Sequence, residues 1–301
     1  MTFSVIIPTY NRLSLLRRTL ESLFQQEFSD YEIIVVDDGS TDGTHEYLQS
    51  LSNEKKIQYV RQKNSGPAIA RNKGIALSSG SLVAFTDDDC IVPTDWLRRY
   101  LIKFQQEDVD AIGGSSRTGN VSNPFAEVND IIVNFLKAEI NERPDNEVPF
   151  LTTNNTAYRK KSLEKVGGFD NRFRIGAEER DLNFRLRQAG EKLMFDPSVI
   201  VDHYNDAGFS KFLRHQFNQG KGSFLFYRNA RQMFGKKPEM IPIGVYIRLL
   251  LYPFSVKTFL RAILLSMLIV LAQAAVTAGY FVAAFSRRKD ISSSISPVSR
   301  T

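Results

Sequence analysis

The sequence predicts an α/β protein: a mixed, mainly parallel sheet flanked by helices, followed by an apolar C-terminal membrane helix. Three observations carry this. Short β-branched runs alternate with helix-period segments through the first half of the chain. Acidic clusters, Asp37-Asp38 and Asp87-Asp88-Asp89, fall at the carboxyl ends of two of those runs, where open α/β sheets bind their ligands. The stretch Ala262–Phe285 has no charged residue, and its length suffices to cross a hydrocarbon core of about 30 Å.

The elements follow in order. Ser4-Val5-Ile6-Ile7 reads as a buried strand, and Leu13 to Gln26 as an amphipathic helix with Leu16, Leu20 and Leu23 on one face. Glu32 to Val36 is continuously apolar after its first residue, as a central parallel strand covered on both faces requires. A short helix from Gly43 to Leu51, a strand Ile57 to Val60 and a helix Ala68 to Leu77 lead to a fourth strand, Leu82 to Phe85. The second half is less regular. Helices are expected over Phe125 to Ile140, from Glu179 to Gly190 and over Phe209 to Phe226, with strands at Leu151–Arg159 and Lys192–Phe195. Ile241–Phe254 is apolar but short and interrupted by Arg248 and Pro253, a pattern suited to an interfacial or re-entrant segment. The Ser-rich tail from Ser292 is expected to be disordered. The division is therefore 1–110 and 111–235 as two halves of one domain, 241–290 as a membrane-associated segment, and 291–301 as a tail.

Composition bounds the function. With 43% apolar and 24% charged residues, the 301-residue chain can bury a sizeable core and is not a disordered polymer. The net charge of +6 is modest, and part of it flanks the apolar C-terminal stretch, where anionic lipid is the expected partner. No basic run with interleaved aromatics points to nucleic acid. Cys90 is the single cysteine, so no internal disulfide or cysteine-rich zinc site forms, and a reducing compartment fits. The N-terminus lacks a basic, long apolar leader pattern. Arg261 precedes the charge-free stretch and Arg287-Arg288-Lys289 follow it. One span would carry the second basic group across the membrane, whereas a hairpin with Ile241–Phe254 would return it; the sequence leaves both open.

The candidate site starts from the carboxylates. Three adjacent acids repel one another, and hard oxygen ligands at that density invite Mg²⁺ or Mn²⁺. The first loop, Pro8-Thr9-Tyr10-Asn11, stands where a dinucleotide fold would place its glycines, and no glycine-rich Lys-Ser/Thr loop occurs. A nucleotide here would have its charge met by a metal. Glu178-Glu179 form a second acidic pair. Mutual repulsion raises one pKa and suits that group to proton transfer, while a helix start stabilised by acidic residues is the structural alternative.

These residues resemble the family 2 glycosyltransferases, which have the GT-A fold. The resemblance rests on Ser4 to Asn11, Val36 to Asp42, Asn64-Ser65-Gly66-Pro67, Ala70 to Gly74, and Phe85 to Asp89. It continues through Asn155 to Arg159, Val166 to Asp170, and Glu178-Glu179-Arg180-Asp181-Leu182 with Arg185, an ordered set over residues 3 to 205. It implies inverting transfer of a sugar from a nucleoside-diphosphate sugar, UDP-sugars favoured, to a glycan or lipid-linked acceptor in cell-surface polysaccharide synthesis. By the same resemblance Pro8, Thr9, Tyr10, Asp38, Arg71, Asp87 and Asp88 line the nucleotide pocket. Asp87 and Asp89 are the metal-binding pair, with His203 near the metal or diphosphate. Glu179 stands where the family's general base is an Asp; the longer side chain keeps open an exchange of roles with Glu178. Alternatives are a nucleotidyltransferase and an inactive membrane-bound nucleotide-sugar-binding protein. The expected location is the inner membrane, catalytic domain cytoplasmic.

Overall fold

The computed structural model describes residues 1–141, 150–174, 176–235, 238 and 241–293. The chain runs β1 (Phe3–Thr9), α1 (Leu13–Phe24), β2 (Tyr31–Asp37), α2 (Thr44–Asn53), β3 (Gln58–Arg61), α3 (Pro67–Leu77), β4 (Leu82–Thr86) and β5 (Cys90–Ile91). It continues α4 (Trp96–Gln106), β6 (Ala111–Thr118), α5 (Pro124–Asn141), β7 (Asn155–Arg159), α6 (Lys160–Lys165), α7 (Glu178–Gln188) and β8 (Leu193–His203). Four helices close it: α8 (Phe209–Phe234), α9 (Ile243–Leu251), α10 (Pro253–Val256) and α11 (Phe259–Ser293).

Among the described residues eight strands join one mixed sheet in the order β3-β2-β1-β4-β7-β6-β8-β5. The first four are parallel. β7 is antiparallel to β4 on one side and β6 on the other, β8 returns parallel to β6, and β5 pairs antiparallel with β8. β1 shows why a continuously apolar strand sits at the centre. Val5 and Ile7 face a layer containing Leu16, Leu20, Leu23 and Trp96, while Ile6 faces Ala70, Ile75 and Leu182, so both faces are covered by helices.

The expected elements of the first half are present within a few residues of their anticipated bounds. Four elements were not anticipated, among them the two-residue β5. β6 is masked by Gly113-Gly114-Ser115-Ser116, residues depleted in strands. Gly114 is required there: a Cβ would lie 2.3 Å from both Asn155 Nδ2 and the Val199 carbonyl. α4 and α6 lie between motifs that drew the reading elsewhere. Elsewhere, the strand expected from Leu151 begins at Asn155, β8 runs on to His203, and α8 continues to Phe234. The expectation for the tail from Ser292 falls almost wholly outside the described residues.

Met1–Arg174 with Glu178–Asp206 form one compact unit. Of the second unit, the described part is residues 176–177 and the segment from Ala207. Within it α8 packs along α11, and α9 packs on α11 with Val245 and Leu249 buried; Ser266 Oγ donates to the Leu250 carbonyl at 2.8 Å. In α11, Phe259–Ser286 is 28 residues of mean hydropathy 2.2, long and apolar enough to cross a membrane by length and composition.

Candidate active site

The loops after β1, β2 and β4 open at one end of the sheet. Between them lies a cavity of about 270 Å³ lined by Pro8, Thr9, Tyr10, Arg12, Asp38, Pro67, Ala70, Arg71, Asp87 and Asp88. All seven residues expected at the nucleotide pocket are among them. Tyr10 is 47% exposed and offers its ring at the edge of this space.

The carboxylates are individually placed. Asp38 takes hydrogen bonds from Gln62 Nε2 and the Ser65 N–H on one oxygen and from the Gly66 N–H on the other, each at 2.8 Å. It therefore pins the β3–α3 loop, a role the sequence reading did not assign. Gly66, at φ 94°, lets that loop turn into α3. Asp88 is buried, accepts from Thr9 Oγ1 at 2.8 Å and from Arg12 at 3.0 Å, and burial raises its pKa to about 7. Asp89 is buried too, which disfavours its charge, yet His203 and Arg12 hold it at about 2. Arg12 Nη1 lies 2.7 Å from Asp89 Oδ2 and His203 Nε2 lies 3.4 Å from Oδ1.

The donor set suits a hard or borderline divalent cation. Ligand atoms of Asp89, Cys90 and His203 lie within 4.8 Å of one another. His203 Nδ1 donates to Asp130 Oδ1 at 2.9 Å, and Thr118 Oγ1 donates to Asp130 Oδ2 at 2.7 Å. That chain turns Nε2 toward Asp89, the arrangement by which a carboxylate orients a metal-binding histidine. Burial pushes the Cys90 thiol well above its ordinary pKa, so a protonated sulfur leaves the oxygen and nitrogen donors to serve. Asp87 does not join this group; it accepts from Arg71 Nη2 at 2.9 Å.

Arg71 is the second organising cation. It is buried, and its other terminal nitrogen donates to Glu178 Oε1 at 2.9 Å. Its charge is thus divided between two carboxylates at the wall of the cavity in which the sequence reading set it. Glu178 Oε2 is buried without a hydrogen-bond partner. Glu178 and Glu179 open α7 and face its positive end, so the helix-start reading also describes this pair. Burial first, and then the Glu178 charge, raise the Glu179 carboxyl to about 8.

Four residues escaped the sequence reading. Arg12 neutralises Asp88 and Asp89, and Asp130 orients His203. Lys137 is buried, donates to the Gly114 carbonyl at 2.9 Å, and is pushed down to about 8 by burial. Asn155 receives Trp96 Nε1 at 2.8 Å and the Tyr100 hydroxyl at 2.7 Å, while donating to the Ser115 and Val199 carbonyls. A signal existed for two of them: Glu127, Asp130, Asn134, Lys137 and Asn141 recur at three- and four-residue steps in α5, a polar stripe in an otherwise apolar helix.

A mixed sheet of this order, with acidic loops beyond β2 and β4 and a carboxylate pair opening a later helix, is the GT-A architecture of nucleotide-sugar-dependent glycosyltransferases. The Glycosyl transferase family 2 model matches residues 4–167, and the chain belongs to that family. Glycosyltransferase AglE of Haloferax volcanii is 33% identical over 225 residues, covering 73% of this chain and 72% of that one. With other relatives the match is partial: 105 residues, 35% of this chain, match 15% of the length of a Rickettsia bellii glycosyltransferase at 43% identity. In fold it resembles the Pyrobaculum calidifontis mannosyltransferase PcManGT, solved with GDP-Man and Mn²⁺ (TM-score 0.60, 19% identity, 95% of this chain and 86% of that one). S. aureus TarS 1–349 with UDP-GlcNAc gives a TM-score of 0.56 at 19% identity, covering 96% and 92% of the two chains.

Proposed function

We propose that this glycosyltransferase moves a sugar from a nucleoside-diphosphate sugar, UDP-sugars first, to a hydroxyl of a lipid-linked glycan or growing surface polysaccharide, inverting the anomeric carbon. One observation carries the mechanism: Arg71 ties Glu178 to Asp87 and leaves the neighbouring Glu179 with a carboxyl poised near 8. Residues 1–110 form the donor half, and 111–235 contribute the acceptor site and the base.

Pro8, Thr9 and Tyr10 contact the nucleotide, with the exposed Tyr10 ring against the base. Asp38 shapes the pocket through the loop it pins, and Asp87 and Asp88 line the ribose side. Asp89 and His203, with Asp87 alongside, would hold Mn²⁺ or Mg²⁺, which when bound would supply positive charge against the departing diphosphate. Glu179 accepts the proton of the acceptor hydroxyl as that oxygen bonds to the anomeric carbon and the bond to the β-phosphate oxygen breaks. The proton stays on Glu179 until solvent removes it. Glu178, anchored by Arg71, keeps the pair in register and raises the basicity of its neighbour. The apolar C-terminal helices attach the enzyme to the cytoplasmic face of the inner membrane, where a lipid-linked acceptor would be presented.

The test is donor binding and hydrolysis across UDP-, GDP- and dTDP-sugars with Mn²⁺ or EDTA, on wild type and Asp89→Ala. The expected result is metal-dependent binding of one donor class, lost in the variant. Binding of none of them under either condition refutes the proposal.

A further inference from the structure

The second unit is charged opposite to the first. From Ala207 to Thr301 the sequence has fourteen Lys or Arg and two acidic residues, whereas residues 1–206 have 25 basic and 31 acidic. Its long apolar helix is also two-sided. Ala262, Leu265, Ile269 and Ala272 of α11 are buried, while Leu260, Ile263, Met267, Val270, Phe281 and Phe285 are exposed along the other side. α9 and α10 add exposed Ile247, Leu251 and Phe254.

The covered side is occupied by α8, and glycines fix the register. A Cβ on Gly220 would lie 1.9 Å from the Val276 carbonyl, and one on Gly279 would lie 1.9 Å from the Phe217 carbonyl. The two helices therefore run antiparallel in close contact, Phe217 opposite Gly279 and Gly220 opposite Val276. Continued along both helices, that register sets Ala272, midway along the apolar stretch, opposite Phe224. A hydrocarbon core of about 30 Å takes about 20 residues of helix. If α11 crossed the bilayer centred on Ala272, the α8 segment immersed beside it would include Lys221 and Arg228, with Gln216, Asn218, Gln219 and Asn229. Each Lys or Arg near the centre is strongly disfavoured.

We propose that α11 does not cross the membrane but lies in the interface of one leaflet, its exposed apolar side toward the acyl chains and α8 on the aqueous side. The partner is a bilayer surface rich in anionic headgroups, which the fourteen basic residues of this segment would meet. This rests on the membrane attachment proposed above and replaces a span or re-entrant hairpin with an in-plane helix.

The experiment uses the full chain on vesicles of phosphatidylcholine and phosphatidylglycerol. A fluorophore is placed on a cysteine introduced at an exposed position, Leu264→Cys, Leu271→Cys or Val282→Cys, the native Cys90 being fully buried, with unsubstituted chain as the labelling control, and quenched by lipids carrying nitroxides at shallow or deep positions. Retained nucleotide binding certifies folding of each variant. The expected result is one common shallow depth, about 5–10 Å below the headgroups. Binding should be at least ten-fold tighter to anionic than to neutral vesicles and should weaken with salt. In addition, Ser286→Cys should react with an impermeant maleimide added outside the vesicles to which the protein was added. Leu271→Cys near the midplane with the other two shallow, or Ser286→Cys protected, means a span and overturns the proposal. Failure to bind any vesicle refutes membrane attachment itself and leaves donor binding, measured without lipid, unaffected.

Discussion

Replacing Glu179 by Gln should inactivate the enzyme and stabilise it, the second effect appearing as pH rises. The carboxyl sits at about 8 in the folded chain against an ordinary 4.5, because burial and the adjacent Glu178 disfavour its charge. Below pH 4.5 it is protonated in both states and costs nothing. Between 4.5 and 8 the unfolded chain ionises while the folded one does not, so stability falls as pH rises and then levels off. Converted in full, that difference is about 5 kcal/mol; part of the side chain faces solvent, which screens the charge, and about 2 kcal/mol is the expected loss. Glutamine has no such loss. Thermal unfolding should therefore show Glu179→Gln close to wild type at pH 5 and about 4–8 °C more stable at pH 8.5. Transfer should fall by about 10²–10⁴-fold. In wild type, kcat/KM should climb about ten-fold from pH 7 to 9, as a base titrating near 8 goes from about a tenth to nine-tenths ionised. A flat profile together with a pH-independent stability difference would refute the reasoning. So would an active Glu179→Gln beside an inactive Glu178→Gln, which would exchange their roles.

The remaining expectations concern the supporting groups. Asp130→Ala removes the acceptor of His203 Nδ1–H and should weaken Mn²⁺ binding about 10–100-fold, measured by calorimetry with the donor nucleotide present. Arg71→Met leaves Asp87 and Glu178 without their shared cation; urea unfolding should show a loss of about 3–5 kcal/mol. Asn155→Leu strands an indole N–H, a phenol O–H and two carbonyls. At about 1 kcal/mol or more each, the unfolding free energy from a urea titration should drop by about 4 kcal/mol with an unchanged slope.

Much of the frame was legible in the residues. β1, β2 and β4 are apolar on both faces, and nothing but a central strand uses such a run so close to acidic turns. α4 was legible too, since Trp96, Tyr100 and Phe104 recur every four residues, yet its neighbours in the metal loop diverted the reading. β6 was not, because Gly114 answers to Asn155 and Val199, 41 and 85 positions further on. The same distance in sequence hid the electrostatics. Arg12 reaches Asp88 and Asp89 across 76 and 77 residues, and Asp130 reaches His203 across 73. Local periodicity records which side of a helix is buried; it does not record which distant charge that side will meet.

The Arg71 strut has a consequence for how such an enzyme can diversify. It joins Glu178 to a residue 107 positions earlier and Asp87 to one 16 positions earlier, so the start of α7 is anchored to α3 and to the loop after β4. Chimaeras that keep Arg71, Asp87 and the start of α7 from a single parent should therefore be the ones that survive recombination.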